Sequence, residues 1–181
     1  MDLVEHLIST ETIASGTMLT VKRDLVRLPN GNTSHREYVI HPGAVVIVPI
    51  LPNGNIVLEK QFRYALRQVF IELPAGKIDL NEEVLHTGQR ELLEETGYTA
   101  NQWVRLGQQH PCIGYSNEVI HIYLASDLIA GSHQRDDDET LEVFDLSFAD
   151  CFTMIRNGEI TDGKTIVALF LAEKHLQQHG G

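Results

Sequence analysis

Basic side chains are few in this chain of 181 residues: 14 Lys and Arg stand against 25 Asp and Glu, for a formal net charge of −11. A surface that binds nucleic acid needs a basic patch, so we expect no nucleic-acid partner. Charges farther apart than about 8 Å are screened at physiological salt. The acidic balance therefore does not exclude a small anionic substrate, whose binding depends on local arginines and bound cations.

Long apolar runs are also lacking. None approaches the roughly 20 residues that a membrane-spanning helix needs, and the first residues, Met-Asp-Leu-Val-Glu, lack the basic and apolar regions of a secretory signal. We therefore expect a cytoplasmic protein with no membrane partner. The two cysteines, Cys112 and Cys151, lie far apart and in no metal-ligand spacing, so we expect both to be reduced and structural.

The chain divides by pattern into an N-terminal extension and a main domain. Two short extended segments, Met18 to Leu28 and His35 to Ile40, flank a Pro-Asn-Gly-Asn turn, and Ala44 to Ile50 is an apolar run typical of a buried strand. A hairpin alone is marginally stable in water. We therefore expect residues 1–42 to pack against a second subunit or across the main domain, residues 43–181.

The stretch from Gly76 to Tyr98, GKIDLNEEVLHTGQRELLEETGY, is crowded with carboxylates. In a helix, Glu91, Glu94 and Glu95 stand at i, i+3 and i+4 and share one face, where each like-charged pair costs roughly 0.2–0.5 kcal/mol. A bound dication would reverse that cost, and oxygen ligands suit Mg²⁺ or Mn²⁺. The sequence therefore predicts a divalent-metal site, with a solvated acidic helix face as the alternative.

The same stretch resembles the Nudix box, G-x5-E-x7-R-E-U-x-E-E-x-G-U, in which U is a bulky apolar residue. A solvated acidic helix would not explain its two glycines. All fixed positions are filled, by Gly76, Glu82, Arg90, Glu91, Leu92, Glu94, Glu95, Gly97 and Tyr98. The resemblance implies an α/β fold, a Nudix-type α/β/α sandwich with a mixed central sheet and a small N-terminal antiparallel sheet. It also implies that Arg90 pairs with Glu82, and that the Ala75 carbonyl joins Glu91 and Glu95 as a metal ligand.

Further segments resemble the ADP-ribose pyrophosphatase branch of that family: His-Pro-Gly from His41, Gln-Phe-Arg-Tyr from Gln61, and Glu-Leu-Pro-Ala-Gly from Glu72. The branch implies a homodimer formed through the N-terminal sheet. Where it commonly has proline before the glycine of its substrate loop, this chain has Ile113. The substrate-binding residues that the resemblance implies are Arg36, Glu37, Arg63, Gly114 and Glu118.

A further acidic run, Arg135 to Glu139, precedes a predicted strand from Leu141 to Leu146. Composition alone indicates a solvated loop. The resemblance implies that Glu139 is a further metal ligand or the general base. Glu94 or Glu139 would complete the metal shell, and Glu94, Glu95 and Glu139 are the candidate catalytic residues.

The segment Gly158 to Thr165 satisfies the phosphate-binding pattern G-x4-G-K-[ST]. A P-loop follows a buried strand, whereas Phe148 to Asn157 has helical spacing. We therefore expect a helix, a loop and a final helix from about Asp162, with a P-loop protein as the alternative.

Together these features predict a Mg²⁺-dependent enzyme, with Mn²⁺ as the other candidate ion, that hydrolyses a nucleoside diphosphate linked to another moiety. ADP-ribose, cleaved to AMP and ribose 5-phosphate, is the first candidate substrate. The alternatives are GDP-mannose or another nucleotide-sugar, a dinucleoside polyphosphate, NADH, or a non-catalytic nucleotide sensor.

Overall fold

The computed structural model describes residues 2–131 and 140–179, so the candidate base Glu139 lies outside the described residues. The chain forms two compact units. The first consists of Met1–Gly43 with Cys112–Glu118, and the second of Ala44–Pro111 with Val119–Gly181.

The first unit is built on a three-stranded antiparallel sheet of order β1-β2-β3. Strands β2 (Thr20–Arg27) and β3 (Thr33–Ile40) confirm the predicted hairpin. Strand β1 (His6–Ser15) was not predicted, because all ten of its residues are exposed and it lacks the alternation of a half-buried strand. The segment 112–118 joins this unit through a hydrogen bond of 2.8 Å from the amide of Val39 to the carbonyl of Tyr115.

The described part of the second unit contains two sheets. One has the order β7-β4-β9-β8 and consists of β4 (Ala44–Pro49), β7 (Ala75–Lys77), β8 (Tyr98–Gln109) and β9 (Ile120–Ala130). Strands β4 and β9 are parallel and the other pairs antiparallel, which confirms the predicted mixed sheet. The other sheet has the order β10-β5-β6, from β5 (Ile56–Arg63), β6 (Gln68–Glu72) and β10 (Leu141–Leu146).

The described residues form three helices, α1 (Val84–Thr96), α2 (Phe148–Asn157) and α3 (Gly163–His179), of which α1 and α3 pack on the mixed sheet. Alternate residues of β4 face opposite layers. Val45 and Ile47 pack in a cluster with Leu92 of α1, whereas Val46 and Val48 pack in the cluster that includes Leu169 of α3. The α/β/α sandwich is therefore confirmed, and the fully buried β4 explains its unbroken apolar run.

Helix α1 is anchored at both ends by residues of the acidic stretch. Glu82, just before the helix, accepts hydrogen bonds from the amide of Asp79 at 3.2 Å, the hydroxyl of Thr87 at 2.8 Å, and two nitrogens of Arg90 at 2.9 Å each. At the other end Gly97 has a φ of 76° and donates its amide to Leu93. That left-handed conformation favours glycine, so the last box glycine has a structural reason.

The segment with the P-loop pattern follows a helix. Lys164 and Thr165 lie in the first turn of α3, directly after α2 and a short connection. The predicted helix, loop and final helix are confirmed, and the P-loop alternative, which requires a preceding strand, is wrong.

Across the parts of the chain that the structure describes, no helix combines the length and the apolar character needed to cross a membrane. The cytoplasmic location stays a prediction.

Cys151 is buried, Cys112 is half-buried, and the described structure has both as free thiols. Burial raises the pKa of the Cys151 thiol to about 11, so this side chain is a protonated packing residue.

The pairing at the start of α1 predicts a pH dependence of stability. The hydrogen bond from Arg90 lowers the pKa of Glu82 from 4.5 to about 2. Because the folded-state pKa is the lower one, the stabilisation is fully present above pH 4.5 and is lost as the pH falls towards 2. Between those values, we expect wild type to lose more free energy of unfolding than Glu82→Gln, in urea titrations monitored by circular dichroism.

The neighbouring exposed carboxylate provides the control for this prediction. Glu83→Gln should retain the wild-type loss of stability with acid. If Glu82→Gln and Glu83→Gln gave the same pH dependence as wild type, the ion pair between Arg90 and Glu82 would not stabilise the fold.

Candidate active site

Two carboxylates of α1 lie against the backbone of β7. Glu91 is 9% exposed, and its Oε1 comes so close to Gly76 that a Cβ there would lie 1.7 Å from it. Glu95 is 2% exposed, and its Oε2 accepts a hydrogen bond of 3.0 Å from the amide of Ala75. The first box glycine therefore makes room for a carboxylate, and three of the predicted ligand residues meet at one place.

The donor atoms available here fit a hard divalent cation. Glu91 and Glu95 offer carboxylate oxygens, and Ala75 offers a backbone carbonyl, and Mg²⁺ and Mn²⁺ bind such oxygen ligands. Residues 2–131 and 140–179 contain no convergent group of three His, Cys, Asp or Glu side chains suited to hold a metal ion. Two carboxylates and a carbonyl leave coordination positions for water and for phosphate oxygens, which is how proteins usually bind Mg²⁺.

One guanidinium balances the acidic face of α1. Arg90 pairs with Glu82, as predicted, and its Nη1 donates to Glu91 Oε1 and to Glu94 Oε2 at 2.9 Å each. The hydrogen bond with Glu82 and the charge of Glu91 raise the pKa of Arg90 above its ordinary value. Arg90 therefore pairs with Glu91 and Glu94, two of the three glutamates predicted on this face.

A second charged cluster, which the sequence did not predict, surrounds Glu72 at the end of β6. Glu72 is 2% exposed, and Arg63 donates Nε to its Oε1 at 2.8 Å and Nη2 to its Oε2 at 2.7 Å. Lys164 pairs with the same carboxylate. Burial alone would raise the pKa of Glu72, but the hydrogen bond from Arg63 and the charge of Lys164 hold it below its ordinary value.

The predicted substrate residue Arg63 is therefore held in a two-point ion pair rather than extended into solvent. Its side chain is still 42% exposed. In the sequence, this cluster is visible only as one acidic residue, Glu72, after the apolar run from Val69 to Ile71. That pattern does not indicate which basic residues pair with Glu72.

The other predicted substrate residues belong to the first unit. Arg36, Glu37 and Gly114 line a cavity of about 260 Å³ together with Tyr115. Arg36 donates Nε to Glu5 at 2.9 Å, and Glu37 accepts from Arg23 at 2.8 Å. Both predicted contact residues on β3 therefore have partners within this unit.

Glu118 lies at the end of the same segment. Its Oε1 is 3.6 Å from Nδ1 of His41, and its amide donates to the hydroxyl of Ser116 at 3.1 Å. The segment 112–118 thus brings Gly114 and Glu118, which the resemblance assigned to one substrate loop, into one folded turn region.

Comparison with known proteins agrees with these features. Residues 40–167 match the model of the NUDIX domain. A solved structure described as an ADP compounds hydrolase superposes with a TM-score of 0.89 at 26% identity, covering 99% of this chain and 98% of that one.

Curated relatives span nearly the whole chain. An ADP-ribose pyrophosphatase of Bacillus subtilis is 38% identical over 92% of this chain and 91% of its own length. A methanol dehydrogenase activator of Bacillus methanolicus is also 38% identical, over 91% and 90%. A GDP-mannose pyrophosphatase of Yersinia enterocolitica is 34% identical over 74% of each. The chain belongs to the Nudix family.

Proposed function

We propose that this protein is a divalent-metal-dependent pyrophosphohydrolase that cleaves ADP-ribose to AMP and ribose 5-phosphate. The observation that carries the proposal is the pair of buried carboxylates, Glu91 and Glu95, set against the backbone of Ala75 and Gly76. Relatives named ADP-ribose pyrophosphatase at 35–38% identity support the choice of substrate.

Nudix hydrolases in general use divalent metal ions, and we propose Mg²⁺ here, with Mn²⁺ as the other candidate. Glu91, Glu95 and the carbonyl of Ala75 would hold the ion. When bound, it supplies charge neutralisation for the diphosphate and activates water for attack. Arg90 orients Glu91 and Glu94 through hydrogen bonds to both carboxylates. These contacts reduce the rotamer freedom of both side chains before substrate binds.

Hydrolysis needs a base that takes one proton from the attacking water. Oxygen of that water bonds to one phosphorus while the bridging P–O bond breaks, and the two products each leave with a phosphate group. Glu94, whose side chain is 33% exposed, and Glu139 are the two carboxylates that we propose for this role. A base has to come within hydrogen-bond reach of the water in the closed complex.

Substrate recognition follows from the arginines. A guanidinium presents a planar pair of donors that matches two phosphate oxygens, and we propose that Arg63 binds the diphosphate. In the first unit, the cavity lined by Arg36, Glu37 and Gly114 also presents the ring of Tyr115, which is 61% exposed. We propose that this cavity, with Glu118, receives the nucleoside, since an exposed aromatic ring offers a stacking surface for a base.

We further propose a homodimer formed through residues 1–42. Strand β1 is an edge strand that is exposed along its whole length, and Leu7, Ile8 and Ile13 are exposed apolar residues on it. An exposed edge strand with apolar side chains is a template for pairing with another chain. A second copy of this chain is the partner that we propose.

GDP-mannose is the second candidate substrate, because relatives named GDP-mannose pyrophosphatase are 31–34% identical. We expect kcat/KM for ADP-ribose with Mg²⁺ to exceed that for GDP-mannose, with AMP and ribose 5-phosphate identified by ³¹P NMR. A higher kcat/KM for GDP-mannose would replace the substrate and leave the metal site in place. If the protein hydrolysed neither ADP-ribose nor GDP-mannose, the proposal would be contradicted.

The carboxylate nearest Ala75 should be needed for turnover but not for folding. We expect Glu95→Gln to lower kcat by roughly 100-fold or more, because a metal ligand loses its charge while its size is kept. Glu159→Gln, at an exposed carboxylate on the loop after α2, serves as the matched control and should retain wild-type activity. Near-normal turnover by Glu95→Gln, with folding checked by circular dichroism, would contradict the assignment of the site.

The close approach of Glu91 to Gly76 predicts a second effect that does not depend on activity. Gly76→Ala places a methyl group where the Glu91 carboxylate lies, so the carboxylate must move. We expect the affinity for Mn²⁺, measured by electron paramagnetic resonance, to fall by about tenfold or more, as mutations that displace metal ligands do. Gly163→Ala, where a Cβ meets open space, is the control; equal affinity in both variants would contradict a metal ion bound by Glu91.

The proposed dimer predicts a mass change on disruption of β1. We expect wild type to sediment as a dimer and Ile8→Glu to sediment as a monomer, because a charge on the paired surface must be desolvated. Gln178→Glu, at an exposed position of α3, adds the same single negative charge outside residues 1–42 and is the control. Wild-type protein that is monomeric at micromolar concentration would contradict the proposed interface.

A further inference from the structure

The first turn of α3 contains a lysine that the helix itself does not favour. Lys164 directly follows Gly163, the first residue of the helix. Unsatisfied amide groups give this end of a helix a partial positive charge, so a cation is unfavourable there. The reason for a lysine at this position therefore lies outside α3.

The partner of Lys164 is the buried carboxylate at the end of β6. Lys164 Nζ forms ion pairs with Glu72 and, at 3.0 Å, with Asp162 Oδ2. Its side chain is 14% exposed, and that of Glu72 is 2% exposed. A buried carboxylate is strongly destabilising unless cations pair with it, so Lys164 helps to keep Glu72 charged.

The same carboxylate also fixes Arg63. Two hydrogen bonds, from Nε at 2.8 Å and from Nη2 at 2.7 Å, hold the planar guanidinium in one orientation. Glu72 accepts both of these hydrogen bonds while it also pairs with Lys164. The guanidinium therefore has a fixed orientation, and part of it remains accessible to an anion.

The neighbouring threonine connects the same turn to the backbone directly after β6. Thr165 Oγ1 accepts a hydrogen bond of 2.9 Å from the amide of Leu73, and both residues are fully buried. Asp162 Oδ2 accepts from the amide of Thr165 at 3.0 Å. Successive residues of α3 thus contact successive residues of the segment that leads into Ala75.

We propose that Lys164 is a positioning residue for phosphate binding, which acts through Glu72 to orient Arg63. The proposal rests on the proposed function, in which Arg63 binds the diphosphate of the substrate. Lys164 does not contact the reacting atoms. In the segment with the P-loop pattern, Lys164 therefore pairs with Glu72. It affects phosphate binding only through Glu72 and Arg63.

The test uses steady-state kinetics with ADP-ribose and Mg²⁺ on three variants of the full chain. We expect Lys164→Met to raise KM by about tenfold and to leave kcat within about threefold of wild type. Lys164→Arg should restore most of the affinity, because a guanidinium can also pair with Glu72. Lys174→Met, the same change at an exposed position of α3, should match wild type; a wild-type KM in Lys164→Met, or a loss confined to kcat, would overturn the proposal.

A double-mutant cycle with Arg63→Gln tests whether Lys164 acts through Arg63. In the Arg63→Gln background, Lys164→Met should change KM no further, whereas additive effects would contradict the proposal. The free energy of unfolding can be measured without substrate for wild type, Lys164→Met, Arg63→Gln and the double variant. We expect the two substitutions to have non-additive effects on it. If wild type hydrolysed no nucleoside diphosphate derivative, the proposed function would fail, and additive effects on unfolding would separately exclude coupling through Glu72.

Discussion

The compensation of buried carboxylates is the constraint on which the rest of this structure depends. Glu72, Glu91 and Glu95 are each at most 9% exposed, and a carboxylate removed from water is destabilising unless charge or hydrogen bonds replace its hydration. A different set of groups stabilises each of the three carboxylates. Glu91 contacts Arg90, Glu95 accepts from a backbone amide, and Glu72 is shared by Arg63 and Lys164.

The contacts of these carboxylates connect the candidate site to the layers of the sandwich. The Glu91 and Glu95 contacts join α1 to β7, while the contacts of Glu72 and Leu73 join β6 and the residues after it to α3. The short stretch from Glu72 to Gly76 is therefore held from two helices on opposite faces of the mixed sheet. The proposed metal and diphosphate site would need ligands held closely in place, and both packing and ion pairs hold this stretch in position.

The elements that could be predicted from the sequence were those with a strong local pattern. The unbroken apolar run of β4 and the carboxylate spacing of α1 each follow from one helix or strand alone, and the two box glycines have structural reasons in a close approach at Gly76 and a left-handed turn at Gly97. Strand β1 could not be predicted in this way, because its pairing with β2 leaves all its side chains exposed. Likewise, the partners of Glu72 come from positions nine and 92 residues away along the chain, a distance over which local spacing carries no information.

The central claim is that Glu91 and Glu95 bind a divalent ion beside Ala75. Anomalous diffraction from a crystal soaked in Mn²⁺ tests it most directly. We expect a manganese peak within about 2.0–2.3 Å of oxygens from Glu91 and Glu95, the range of hard-cation bonds to oxygen. A map with no peak at these carboxylates, or with manganese bound only elsewhere on the chain, would contradict the account.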